Sequence, residues 1–216
     1  MTNIFVFEGA DGSGKDYLMN IVYERLKSDG ISTVIVPKSV YHDSEVDKMA
    51  IMTGNGNLAV LNHIEKILTR KIDYLSKLDE KPEIALISRW YPSTYVYQYY
   101  ISGKFDESEF MKAYEIVCHR LDKSIKLRRM KLAGFIWRDT PSRKSAERIK
   151  HNNLYDRIAL YMPEKIKEGY RIYFNSILET NNVLRIKSAD LTEEDITYTV
   201  EFIKAYANIR ESLLKG

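Results

Sequence analysis

The first stretch of the chain that could do chemistry is Gly9-Ala10-Asp11-Gly12-Ser13-Gly14-Lys15-Asp16. Its glycines permit backbone angles that turn successive N–H groups inward, which makes a nest for phosphate oxygens. A helix starting at the end of the stretch adds its positive dipole end. Lys15 completes the pattern G-x-x-x-x-G-K and would reach the β- and γ-phosphates of a nucleoside triphosphate. In that pattern a Ser or Thr follows the lysine, and its hydroxyl holds magnesium. Here the residue is Asp16, whose carboxylate is a harder oxygen ligand that magnesium also accepts. A Gly-rich turn that merely joins strand to helix is the bland alternative. The surroundings argue against it: residues 3–8 (NIFVFE) form a short apolar run, and residues 14–28 carry helical spacing.

A second group of candidates follows the apolar run 84–88 (IALIS). Arg89, at the carboxyl end of that run, stands where a guanidinium can fork onto phosphate oxygens, with a structural ion pair as the alternative. Tyr97 and Gln98 could stack on and hydrogen-bond a nucleobase, although most tyrosines from Tyr91 to Tyr100 read better as core. Lys38, after Pro37, can meet a phosphate or stay solvated. Lys66 and Arg70 lie one turn apart on one helix face. Phosphoryl transfer spreads charge over several oxygens and needs cations beyond Lys15. Ala10, Gly12 and Ser13 carry none, whereas residues 143–157 contain Arg143, Lys144, Arg148, Lys150, His151 and Arg157. A solvated helix face would look equally basic, and His151 reads as an exposed polar residue.

In order and spacing these stretches resemble the thymidylate kinase family over most of the chain. FEGADGSGK (7–15) is similar to that family's strand and phosphate loop. Ser88-Arg89-Trp90-Tyr91-Pro92-Ser93-Thr94-Tyr95-Val96-Tyr97-Gln98 resembles D-R-[YF]-x-x-S-x-x-A-Y-Q, with Ser88, Trp90 and Val96 departing from it. Asp139-Thr140-Pro141 and Glu147-Arg148-Ile149 resemble L-D-x-P-P-E-x-A-x-x-R-I. Asp156-Arg157 falls at the family's D-R, and Lys167-Glu168-Gly169-Tyr170 at its R-x-G-Y.

The resemblance implies transfer of the γ-phosphate of ATP, with Mg2+, to a nucleoside monophosphate. That acceptor is dTMP by resemblance alone, and the altered acceptor residues permit other dNMPs. It implies that Gly9 to Lys15 cradle ATP and that Asp11 contacts the acceptor sugar. Lys38 and Arg70 would replace acceptor-binding arginines, beside Arg89, Ser93, Tyr97, Gln98 and Tyr170. Arg148 and Arg157 would be the catalytic lid arginines, with Arg143 third. A homodimer is implied as well. The family has a hydroxyl after the lysine and an aspartate at the end of strand three, so by this resemblance Asp16 and Ser88 have the carboxylate and the hydroxyl exchanged. Either the exchange keeps the oxygen ligands of magnesium, or it leaves a nucleotide binder with little turnover. A deoxynucleoside kinase is the other enzymatic alternative, but it needs a general base at position 88, where Ser88 cannot serve.

Further strands are expected at about 32–36, 132–137 and 183–187. Helices are expected at about 57–78, 93–103, 107–128, from Ser142, at about 155–178 and at about 192–213. Strands alternating with long helices indicate a parallel sheet covered on both faces, with ligands beyond the carboxyl ends of its strands. With the resemblance, the expected fold is α/β: a P-loop three-layer sandwich with a five-stranded parallel sheet and a short helical lid. No repeat or Pro/Gly-rich linker divides residues 1–216, so one domain is expected, its lid at about 142–157.

The 216 residues are 44% hydrophobic and 29% charged, as in soluble enzymes. No apolar run approaches the roughly 20 residues of a membrane span, and the N-terminus lacks the pattern of a signal peptide. The single cysteine, Cys118, fits a reducing cytoplasm and reads as a small buried hydrophobe. A net charge of +3 does not imply nucleic acid. The basic run Arg120–Lys131 lacks interleaved aromatic residues and reads as an exposed helix face. Richness in Lys, Ile, Asn and Tyr hints at an AT-rich genome, such as that of a phage or virus.

Overall fold

The fold is built around β1 (Thr2–Glu8), every residue of which is buried. A strand buried on both faces reads as a continuous apolar run, and its alternation shows only in what each side chain meets. Ile4 and Val6 join one core, while Phe5 and Phe7 join the other. In this computed structural model the described residues are 1–40, 58–101, 107–149, 159–177 and 182–208. They form a five-stranded parallel sheet in the order β2-β3-β1-β4-β5, flanked by helices. The remaining strands are β2 (Thr33–Ile35), β3 (Ile84–Ser88), β4 (Met130–Arg138) and β5 (Val183–Ile186).

On the first face pack α2 (Leu58–Ser76), α3 (Tyr91–Thr94) with the π-helical turn Tyr95–Tyr100 that continues it, α4 (Glu107–Leu127) and α6 (Pro163–Ile177). Their core is aromatic: Trp137, Phe174, Tyr170 and Phe135 lie within ring contact of one another or a shared neighbour. The tyrosine-rich stretch belongs to this core, with Tyr91 and Tyr97 buried. α1 (Lys15–Ser28) and α7 (Glu193–Tyr206) cover the second face through Leu18, Val22, Ile196, Val200 and Ile203. Thr192 caps α7 in a reciprocal capping box with Asp195. The short helix α5 (Ser142–Glu147) follows β4 in the expected lid segment.

The sequence-based strands agree with the sheet to within two residues. β4 starts at Met130 because Thr2 and Asn3 of β1 pair with Met130 and Lys131. The basic run and Cys118 each have a simple structural explanation. In the basic run, Arg128 pairs with Asp73 and Arg120 with Glu65, which tie α4 to α2 at their exposed edge. Cys118 is half-buried instead of enclosed, since its position on α4 lies at the margin of the buried stripe of Tyr114, Val117 and Leu121. No helix among the described residues is long and apolar enough to cross a membrane.

Candidate nucleotide-binding and phosphoryl-transfer site

β1 ends at Glu8, and residues 9–14 loop over the carboxyl end of the sheet before α1 begins at Lys15. Ser13 N donates to Ala10 O at 3.1 Å and closes the loop. Gly14 opens α1 from the left-handed region, at φ 83°. Gly12 has φ 75°, and a side chain there would stand 2.0 Å from the Ser145 carbonyl oxygen. Only glycine lets α5 press this closely on the loop. Thr140 Oγ1 donates to Ser13 O at 2.8 Å, so the end of β4 also holds the loop in place.

Arg148, just beyond α5, comes back to the same place. Its Nη1 lies 3.6 Å from where a Gly14 side chain would begin. Its Nη2 donates to Ala189 O (3.0 Å) and Asp190 Oδ1 (2.6 Å). Arg143 does not join it: 92% exposed, it pairs with Glu147 on the outer face of α5. Arg157, with Lys150, His151 and Asp156, lies outside the described residues, as does the side chain of Gln98.

Asp16 and Ser88 are in direct contact. Ser88 Oγ donates to Asp16 Oδ1 at 2.6 Å, while Asp16 Oδ2 accepts from Lys38 Nζ at 2.9 Å and lies 3.7 Å from Lys15 Nζ. Burial works to raise the Asp16 carboxyl, but Lys15, Lys38 and Ser88 together hold it well below the usual carboxylate range. It is therefore an anion, one residue from the phosphate-loop lysine, with a hydroxyl beside it. Such an oxygen pair fits magnesium, which takes one or two protein ligands and completes its shell with phosphates and water. Burial and nearby Arg89 lower the Lys15 ammonium, and Asp16 and Asp11 oppose them.

Arg89 organises the other half of the site. It follows β3 in the left-handed region, at φ 63°, with its N–H still donating to Phe7 O at 3.0 Å. Its Nη2 pairs with Asp11, and its Nη1 donates to Ser93 Oγ and Tyr170 OH, both at 3.1 Å. Tyr97 donates to the other Asp11 oxygen at 3.0 Å, with its ring 5.0 Å from the guanidinium carbon. Burial acts to raise Asp11, but Arg89 and Lys15 leave it lowered, so this carboxylate too is ionised. Thus Asp11, Arg89, Ser93, Tyr97 and Tyr170 converge, while Arg70 sits exposed on α2.

Two further residues, Glu8 and Lys71, support this site from beneath, and the sequence motifs assign neither a role. Glu8 is fully buried and accepts from Trp90 N (2.6 Å), Ser93 Oγ (2.6 Å) and Tyr170 OH (3.3 Å). Burial raises its carboxyl in spite of Ser93 and Arg89. Its signal is a lone acid ending the apolar run Ile4–Phe7. Lys71, only 1% exposed, donates from Nζ to Ser88 O (2.9 Å) and Arg89 O (2.7 Å). Burial pushes its ammonium down to about 7, with Glu8 working the other way. Its signal was periodicity: Lys71 falls on the same buried stripe as Leu68 and Leu75, three and four residues away.

No family model matches the chain. It is 31% identical over 99 residues to a probable thymidylate kinase of Sulfurisphaera tokodaii, a match covering 45% of the chain and 50% of that relative. The chain thus aligns with only half the length of this curated relative. Among solved structures, deoxyadenosine kinase from M. mycoides with bound dCTP superposes with a TM-score of 0.62 at 11% identity, covering 96% of this chain and 99% of the other. Sheet, phosphate loop and this likeness together show the fold of a P-loop nucleotide kinase.

Proposed function

We propose that the chain, having a P-loop nucleotide-kinase fold, is an ATP-dependent nucleoside monophosphate kinase whose acceptor is a deoxynucleoside monophosphate, dTMP before others. One observation carries this reading. Cations from the ends of two adjacent strands, Lys38 after β2 and Arg89 after β3, face the phosphate loop, while the acids beside them are already engaged. Both oxygens of Asp11 hold Arg89 and Tyr97, and Asp16 is kept ionised by Lys15, Lys38 and Ser88. A carboxylate held this strongly as an anion is a poor base for a sugar hydroxyl, whereas an acceptor phosphate brings its own ionised oxygen. The partial match to a probable thymidylate kinase supports the same reading.

In the reaction an acceptor phosphate oxygen bonds to the γ-phosphorus of ATP, the bond to the β-bridging oxygen breaks, and ADP leaves. The N–H groups of residues 9–14 and Lys15 bind the donor phosphates. Arg89 and Lys38 would orient the acceptor phosphate, Asp11 and Tyr97 would meet its nucleoside, and Arg148, beside Gly14, would stabilise charge on the transferred group. Asp16 and Ser88 would hold Mg2+, which supplies charge neutralisation of the triphosphate when bound. A cytoplasmic homodimer belongs to the same reading.

The second reading is a deoxynucleoside kinase, favoured by the superposition on deoxyadenosine kinase over nearly all of both chains. One assay separates the two: ADP formation from MgATP with each nucleoside monophosphate, each deoxynucleoside monophosphate and each deoxynucleoside. Turnover with monophosphates alone supports the first reading, and turnover with nucleosides alone replaces it with the second. No turnover in protein that binds ATP would mean a nucleotide-binding protein on a kinase fold.

A further inference from the structure

We propose that Lys71 is a positioning residue for Arg89: it holds the Ser88–Arg89 turn in the shape that presents the guanidinium to the acceptor phosphate. This rests on the kinase reading above. Lys71 lies within a buried stripe of α2, between Leu68, Ile72 and Leu75, where a leucine or methionine would pack without surrendering hydration of an ammonium. Its head group goes to two successive carbonyls, Ser88 O and Arg89 O.

In an extended strand, successive carbonyls point to opposite sides, and one donor cannot meet both. At φ 63° the chain turns at Arg89, and both carbonyls face Nζ. The clamp and the left-handed turn therefore require each other. From the opposite side, Glu8 of β1 accepts the next N–H, that of Trp90, at 2.6 Å. The same carboxylate holds Ser93 and Tyr170, the two hydroxyls that receive Arg89 Nη1. A buried acid and a buried lysine thus grip the two sides of one turn, and the strand-end arginine is fixed at its backbone as well as at its tip. A left-handed arginine between an apolar strand and a helix has no intrinsic reason to persist without such support.

The test compares Lys71→Met and Lys71→Arg with the wild type by calorimetric titration of dTMP and, separately, of MgATP. For Lys71→Met the expected result is a dTMP Kd raised by about tenfold or more, with the MgATP Kd within about twofold of wild type. Lys71→Arg should regain part of the loss, because it keeps a buried donor. Unchanged dTMP binding in Lys71→Met overturns the inference, and so does an equal loss of both ligands, which would mark general structural damage. If Lys71→Met does not fold, Lys71→Gln is judged by the same rule. If the wild type binds no nucleoside monophosphate, the kinase reading falls, and Lys71 is judged on a crystal structure of the variant. Residue 89 leaving the left-handed region there sustains the inference; residue 89 unmoved, with its Asp11 pair intact, overturns it.

Discussion

Exchanging the two oxygen-bearing residues of the proposed metal site, Asp16→Ser with Ser88→Asp, should be far less harmful than either change alone. The 2.6 Å bond from Ser88 Oγ to Asp16 Oδ1 is partly buried and charge-assisted, a class worth about 1.5–3 kcal/mol. Asp16→Ser alone leaves two hydroxyls facing each other and removes the counter-charge of Lys38 and Lys15. Ser88→Asp alone puts two carboxylates within hydrogen-bond distance, and both cannot stay ionised there. Each single change should therefore cost about 2–3 kcal/mol in kcat/KM, a loss of about 30- to 150-fold. The double variant again has one carboxylate and one hydroxyl, in reversed order, and should return to within about tenfold of wild type. The assay is ADP release with dTMP as acceptor across a magnesium titration, with melting temperature as a control. A double variant as poor as the product of the two singles would refute the exchange, as would singles no worse than the double.

Arg89→Lys keeps the charge but loses the fork that meets Asp11, Ser93 and Tyr170; acceptor kcat/KM should fall by at least about tenfold, with the KM for ATP little changed. Gly12→Ala forces a left-handed alanine, at about 1–2 kcal/mol, and drives its side chain into the Ser145 carbonyl. Its melting temperature should drop by at least about 2–8 °C by differential scanning calorimetry, and its ATP affinity should weaken. The Cys118 thiol is pushed by burial from 9.0 up to about 12, with Tyr114 opposing. At pH 9 its alkylation by iodoacetamide should be about several hundredfold slower in folded protein than in urea. The neutral thiol favours the folded state below pH 9, and this contribution fades as pH rises towards 12.

The phosphate loop and the exchange at 16 and 88 were legible because both depend on residue type at fixed positions along the chain. β1 and β3 were legible as apolar runs, although their burial on both faces hid the alternation that separates Ile4 and Val6 from Phe5 and Phe7. Pairings across long stretches of chain were not. Arg148 and Arg143 lie five residues apart in one basic segment, yet one docks on Asp190 beside Gly14 and the other faces solvent. What decides between them is the way α5 seats on the loop, with Ser142 and Ser145 buried and Ser145 O against Gly12. Periodicity places Lys71 on the buried stripe, but its partners exist only because residue 89 is left-handed. That turn belongs to the junction of β1, β3 and α3 and to no local pattern.

The two cations proposed to meet the acceptor phosphate, Lys38 and Arg89, are held in different ways, and the difference bears on what each can do. Lys38 is 64% exposed, and its pair with Asp16 is of the kind worth about 0–1 kcal/mol. A phosphate can draw such a lysine away at little cost, so Lys38 supplies charge that moves. Arg89 is fixed through Asp11, Ser93 and Tyr170 at its tip and through Lys71 at its backbone, so it supplies geometry. A carboxylate at position 88 would stand directly before Arg89 in the chain and compete with Asp11 for it. With the carboxylate moved to Asp16 on α1, its nearest cations are Lys38 and Lys15, and Arg89 keeps Asp11 as its ion-pair partner. The exchange thereby redistributes the charge pairs of the site as well as the oxygens proposed to hold the metal. Lys38→Ala should consequently weaken the acceptor modestly, and Arg89→Ala should abolish its productive orientation.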